Sequence, residues 1–229
     1  MEWIILGLIF LKDLYTIDCP NAKTINQKEI YLLTDMEPEG GLILYLGTGI
    51  LDYINFGISY GAVGVIGKGM PEFYQRPEVQ FKYLFIYESE IFPSMLIGFD
   101  SQGRGKYLKE NKVYQMKSKG IYLTMGKNWK IMNGNLSLCG GVNYSILEKE
   151  KPKDNPSLFA SASLNLTPEL QLNLEWDGQF DYIQKSSDIG LLSASIKFAF
   201  GEQLTFNLIF RNLKGTISRA VKIVYLTSL

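Results

Sequence analysis

Along most of the chain, apolar and polar residues alternate one for one in segments so long that few folds can accommodate them. Leu170, Leu172, Leu174 and Trp176 interleave with Gln171, Asn173, Glu175 and Asp177. In an extended strand this period of two gathers the apolar groups on one face and the polar groups on the other. Leu192, Ala194, Ile196, Phe198 and Phe200 interleave in the same way with Ser193, Ser195 and Lys197, and Leu204, Phe206, Leu208 and Phe210 with Thr205, Asn207 and Arg211. Ile209, Leu84 and Ile86 break the rule by standing on polar faces. Turn signals divide the chain into about twelve such segments, near 27–35, 40–47, 53–61, 78–87, 94–101, 119–127, 134–146, 157–166, 169–178, 189–200, 203–212 and 217–226. Most run about nine to eleven residues, enough for a tilted strand to cross a bilayer, whereas strands elsewhere average about five or six.

The connections carry a second pattern. After the hairpin at Pro38 to Gly40 they alternate short and long, with long ones at 61–77, 101–118, 147–156 and 179–188; only Leu213 to Thr216 is shorter than its place in the series predicts. Strands that cross up and down, with tight turns at one rim and larger loops at the other, produce this alternation. An even strand number leaves both chain ends on the short-turn rim. In an outer-membrane barrel that rim is periplasmic, and the long loops face outward.

Alternation alone does not say which face is inside, and the rival to a membrane barrel is a soluble or periplasmic barrel that binds an apolar ligand in its interior. Composition of the polar face favours the membrane. Ser137, Asn143, Ser161, Ser163, Asn165, Gln171, Asn173, Ser193, Ser195 and Asn207 are small and neutral, which suits a hydrated lumen better than a sheet facing bulk water. Charge enters that face singly, at Lys82, Glu175, Asp177, Lys197, Arg211 and Lys222. A cation facing lipid at mid-membrane costs about 2–4 kcal/mol, so this segregation is what a spanning barrel needs. Tyr60, Tyr87, Tyr144, Trp176, Phe200, Phe210 and Tyr225 fall near strand ends on the apolar face, as an interfacial girdle would.

Lysine plus arginine and aspartate plus glutamate number 23 each, so no basic excess invites nucleic acid. Histidine is absent, which removes the usual near-neutral proton carrier and the commonest metal ligand. Two cysteines, Cys19 and Cys139, are too few for a disulfide scaffold or a four-cysteine zinc site. No enzyme, metal or cofactor is expected. The apolar stretch Trp3 to Leu11 has about the length of a signal-peptide core, although Glu2 stands where a positive charge belongs. The expected organisation is a signal-like apolar segment over 1–20 followed by one barrel domain over 21–229.

Two clusters invite a chemical reading. Asp100, Gln102, Gly103, Arg104 and Gly105 place glycines beside an arginine, as an anion-approaching loop would, yet the full phosphate-loop pattern is missing. Glycines turning the chain at a strand end, with Asp100 bonding loop amides, account for the same residues. Glu175 and Asp177 stand two apart on one face, as paired glycosidase carboxylates can. Lys197 and Arg211 on the polar faces of the following strands point instead to a ladder of ion pairs in the lumen, comprising Lys82, Glu175, Asp177, Lys197, Arg211 and Lys222.

From 78 to 145 the wording becomes specific. The run EVQFKYLFIYESEIFPSMLIGFDSQGRGKY, then YQMKSKGIYLTMGKNW and GNLSLCGGVNYS, contains Lys82-Tyr83, a Glu-rich turn ending in Pro93, Gly98-Phe99-Asp100, Gly103 and Gly105, and a strand ending in Lys127. This stretch resembles the YjbH-like group of outer-membrane β-barrels associated with exopolysaccharide systems. The resemblance implies an all-β, up-and-down transmembrane barrel in the bacterial outer membrane with a structural, pore or envelope-assembly role. Its partners would be outer-membrane lipid and, through the group's association, polysaccharide or export-machinery proteins. It supplies no catalytic residues.

Overall fold

The computed structural model describes residues 13–67, 70–131, 134–148, 155–182 and 187–228. Fifteen strands follow one another: β1 (Glu29–Glu37), β2 (Gly41–Leu51), β3 (Ile54–Val63), β4 (Glu72–Phe73), β5 (Glu78–Ile86), β6 (Ser94–Asp100), β7 (Arg104–Leu108) and β8 (Val113–Met116) come first. β9 (Gly120–Ile131), β10 (Gly134–Tyr144), β11 (Ser157–Asn165), β12 (Leu170–Asp177), β13 (Leu191–Phe200), β14 (Leu204–Arg211) and β15 (Ser218–Ser228) complete the chain. Each of the twelve long segments read from the alternation is present, with ends displaced by a few residues. β4, β7 and β8 are additional short strands inside the long connections.

Twelve strands close into one antiparallel barrel in chain order, β1-β2-β3-β5-β6-β9-β10-β11-β12-β13-β14-β15, and the first and last are joined. Asp35 of β1 lies opposite Lys222 of β15 at that seam. Closure leaves no unpaired strand edge, the condition under which a sheet can stand in hydrocarbon. β4 adds a short pairing to β3, and β7 with β8 forms a separate hairpin. No helix among the described residues is long and apolar enough to cross a membrane, which says nothing against crossing by strands.

The faces are oriented as a membrane barrel requires. Leu172 and Leu174 are 38% and 48% exposed, while Asn173 and Glu175 between them are buried; Phe198 looks out and Lys197 is buried. The girdle tyrosines Tyr60, Tyr87 and Tyr225 and also Phe200 are exposed. Serine, asparagine and charged groups of the strands point inward while most of the apolar groups point outward, the reverse of the arrangement that a soluble barrel binding an apolar ligand in its interior requires.

Bulky lumen residues fit because glycines face them. A Cβ on Gly57 would lie 2.3 Å from the hydroxyl of Tyr45, so the ring can lie along the wall only over a glycine.

Candidate functional site

The lumen is occupied by the chain's own N-terminal part. Leu14, Tyr15, Ile17, Asp18, Cys19, Ala22 and Ile25 are all buried. Residues 13–25 form a hairpin: Tyr15 bridges Pro20 in antiparallel fashion, the Thr16 amide donates to the Cys19 carbonyl at 3.0 Å, and the Asn21 amide donates to the Leu14 carbonyl at 3.3 Å. Residues 13–20, assigned from the sequence to the N-terminal segment, pack inside the barrel wall. The Trp3 to Leu11 stretch lies outside the described residues.

Both arms enter from the short-turn rim. Asp13 binds Tyr31 near the start of β1 and Lys197 near the end of β13. On the return arm, Thr24 donates to the Asp52 carbonyl in the β2–β3 turn, and Ile25 exchanges two 3.0 Å hydrogen bonds with the Asn55 side chain. The tip, 16–19, reaches Glu175 and Arg211 near the long-loop ends of β12 and β14.

At that tip three successive backbone amides converge on one carboxylate. Ile17 and Cys19 donate to Glu175 Oε2 at 2.9 and 3.0 Å, and Asp18 donates to Oε1 at 2.9 Å. Turns that aim consecutive N–H groups at one point make anion-binding concavities, and here the anion is a wall side chain. Thr16 Oγ1 also lies 2.9 Å from Ser161 Oγ on β11.

All six residues of the expected charge ladder are buried in the lumen, but they address the hairpin, the loops and β1 rather than one another. Register explains this. Glu175 stands opposite Ser193, whereas Lys197 stands opposite Gln171, four residues along the strand and about 13 Å away. Lys197 instead binds Asp13 at 2.5 Å, Asp177 binds Lys119 at 2.6 Å, and Lys82 donates to the carbonyls of Leu14 and Asn21. Arg211 donates to Asp18 at 2.5 and 2.9 Å and to Glu37 at 2.9 Å through two nitrogens, while Lys222 reaches Asp18 at 2.9 Å and Asp35 at 3.2 Å.

The second cluster, Asp100 to Gly105, divides between two tasks. Asp100 accepts from Tyr15 of the hairpin at 2.8 Å, from Gln80 at 3.2 Å and from the Gln102 amide at 2.9 Å. Gln102 accepts from Ser59 and donates to the Gly103 carbonyl, and Gly103 lies under the Tyr114 ring. Gly105, at φ +72°, sits in an irregularity of the β7–β8 pairing between Arg104 and Tyr107. Arg104 then reaches across the mouth, its Nε 3.3 Å from Asp18, 3.4 Å from Asp35 and 3.4 Å from Glu37. Three cations and three carboxylates, from the hairpin, the wall and the β7–β8 loop, thus share one buried knot.

The loop is also pinned on its far side. Glu148 accepts the amides of Tyr114 and Ser118 at 2.8 Å each, and Lys117 donates to the Asp181 carbonyl at 2.6 Å and, through its amide, to the Tyr182 hydroxyl at 2.6 Å. Burial pushes the Glu148 carboxyl up to about 7, against the opposing pull of its amide donors and of Lys117. Cavities remain along the lumen at both ends of the hairpin. One of about 440 Å³, lined by Lys23, Tyr87, Glu88, Ser137 and Ser163, lies toward the short-turn rim; one of about 180 Å³, lined by Tyr74, Arg104, Gln115 and Arg211, lies at the long-loop mouth. The hairpin tip and the six-charge knot separate them.

No metal-binding group of histidine, cysteine or carboxylate side chains occurs among the described residues. Asp13, Asp18, Asp35, Glu37 and Glu148 all escaped sequence reasoning.

No protein-family model matches this sequence, and no curated protein matches it. Solved structures do resemble it. The KdgM porin shares 11% identity over 88% of this chain and 99% of its own, with a TM-score of 0.51. The outer membrane protein Omp33 of Acinetobacter baumannii shares 7% identity over 89% of this chain and 98% of its own, with a TM-score of 0.50. At these identities the likeness is one of fold. It agrees with the chain's own geometry, a closed twelve-stranded antiparallel β-barrel with its apolar faces turned outward.

Proposed function

We propose that this protein is a non-enzymatic, narrow pore of the bacterial outer membrane, closed in the present state by its own residues 13–25. The observation that carries the reading is the separation of the two lumen cavities by the hairpin tip, whose amides and carboxylate are held by Glu175, Arg211 and Lys222. Because both arms enter from one rim, the hairpin can leave as a unit without threading a free end through the barrel. Passage of a solute then requires its withdrawal toward the periplasm. A link to exopolysaccharide export rests on the resemblance of residues 78–145 alone.

A cross-link tests the reading. Thr16→Cys and Ser161→Cys, introduced together with Cys19→Ser and Cys139→Ser, place two thiols where the native oxygens are 2.9 Å apart, a spacing compatible with disulfide geometry. In planar bilayers the oxidised barrel should stay closed and the reduced barrel should show conducting episodes. Equal conductance in the two states refutes a hairpin gate.

A further inference from the structure

The six-charge knot joins two elements that approach the lumen from opposite sides of the membrane. Asp18 belongs to the hairpin inserted from the short-turn rim. Arg104 belongs to the β7–β8 hairpin, which begins on the long-loop side after β6 and crosses the mouth to reach β1, with β2, β3 and β5 intervening between β6 and β1. Arg211, Lys222, Asp35 and Glu37 are the fixed wall between them. We infer that the outer loop and the inner hairpin form one coupled latch, in which loosening either element loosens the other. The inference builds on the closed-pore reading, but its readouts do not depend on conduction.

The physical basis is charge balance in a buried place. Arg104, Arg211 and Lys222 face Asp18, Asp35 and Glu37, three against three, and all six side chains are buried or nearly so. Removing Asp18 with the hairpin leaves three cations facing two carboxylates, and the member with the freest route to water is Arg104, whose side chain is 13% exposed against 3–4% for Arg211 and Lys222. Removing Arg104 with the loop leaves three carboxylates facing two cations, and Asp18 is the one carboxylate not anchored to a barrel strand. Breaking a buried charge set by taking away one partner is far costlier than keeping it whole, because the survivors are left uncompensated. The knot also has slack: Asp35 Oδ1 is buried without a hydrogen-bond donor, and Arg211 Nη2 is 4.0 Å from it. Hairpin and loop do not depend on the knot alone, since Glu175, Lys197 and Lys82 hold the former and Glu148 and Tyr182 the latter.

Coupling between sites is reciprocal, which makes the latch measurable from either end. With the full chain in lipid nanodiscs, Arg104→Gln should raise amide exchange at 16–19 about fivefold or more, and Asp18→Asn should raise tryptic cleavage at Lys106, Lys109 and Lys112 by a similar factor. Arg104→Lys should restore most of the protection at 16–19. The double variant should show less than the product of the two single effects. Exchange at the barrel strands reports whether each variant is folded, and Glu148→Ala, which frees the loop without touching the knot, provides an independent route to the same loosening of the hairpin. Hairpin exchange unchanged in both Arg104→Gln and Glu148→Ala, in folded barrels, would overturn the latch, as would strictly multiplicative effects in the double variant. Neither result would bear on whether the cross-linked pore closes.

Discussion

Replacing Glu175 by glutamine isolates the seat of the hairpin, because the shape of the side chain is kept while its charge and one acceptor are lost. In the native barrel Oε2 takes the amides of Ile17 and Cys19 and Oε1 takes that of Asp18, at 2.9 to 3.0 Å. No lysine or arginine among the described residues forms an ion pair with Glu175, so the three amides are its principal compensation. Glutamine can turn its one oxygen to Ile17 and Cys19, which converts two charge-assisted bonds into neutral ones. Its NH2 then faces the Asp18 amide, donor against donor. Hydrogen bonds to charged groups contribute about 1.5–3 kcal/mol, neutral ones about 0.5–1.5, and a buried donor left unpaired costs about 1–3. Because a neutral side chain is also cheaper to bury than a carboxylate, which offsets part of these losses, the seated state loses roughly 3 kcal/mol, or about two decades in the ratio of withdrawn to seated hairpin. Single-channel recording of the purified barrel should show the conducting fraction of time rising about a hundredfold. Ser193→Ala, opposite Glu175 on β13, should leave the native record unaltered. A Glu175→Gln barrel whose conducting fraction stays within about twofold of native would show that the amide seat does not hold the gate.

Two further outcomes follow from the same geometry. In the docked loop the Glu148 carboxyl titrates near 7, above its ordinary 4.5, so the docked state binds more protons between those values. Docking is then strongest below pH 4.5, weakens as pH rises, and loses on the order of 3 kcal/mol by the time pH has passed 7. A spin label at Lys109→Cys should gain mobility over that window, and Glu148→Gln should abolish the dependence; mobility that is flat with pH in the native loop would count against it. On the outer face, Leu172→Arg should cost about 2–4 kcal/mol of barrel stability in lipid, read as a lower urea midpoint for loss of the heat-modifiable gel band. A midpoint equal to that of the native barrel would mean that Leu172 does not face hydrocarbon.

The barrel was legible because its constraint is local. A period of two sustained over about ten residues sorts side chains to two faces without reference to any distant partner, so β12, β13 and β14 could be read in isolation and the connections then ordered them. The site was not legible in this way. Asp18 and Arg211 are separated by 193 positions and Lys82 and Leu14 by 68, and the hairpin lacks strand periodicity, since Asp-Leu-Tyr-Thr-Ile-Asp-Cys-Pro presents both faces to a wall. The apolar residues just before it drew the whole stretch into an export-signal reading. Partners for Glu175 and Asp177 were sought on the following strands, where the register sets Lys197 four residues away from Glu175, whereas Lys222 meets Asp35 across the β15–β1 seam.

One signal of the hairpin was nevertheless present in the strands, in the residues that broke their alternation. Ile209 stands on the polar face of β14 and is buried against Ile17 and Ala220. Leu84 of β5 is buried in a cluster with Ala22, Leu96 and Tyr122. Leu33, Tyr31 and Val224 surround Leu14, Tyr15 and Ile25. A water-filled lumen gives a leucine or isoleucine on its wall nothing to pack against, and each such group left facing water forgoes about 1.5–3 kcal/mol of burial. Apolar residues scattered on the inner face of a transmembrane barrel are therefore the footprint of something that fills it, and their spacing here reports both arms: Ile209 marks the tip, Leu84 the return arm, and Leu33 with Val224 the rim where the two arms enter. Where such residues are missing and the inner face is small and polar, as at Ser161 and Ser163 of β11, the hairpin meets the wall through a hydrogen bond, that between Thr16 and Ser161.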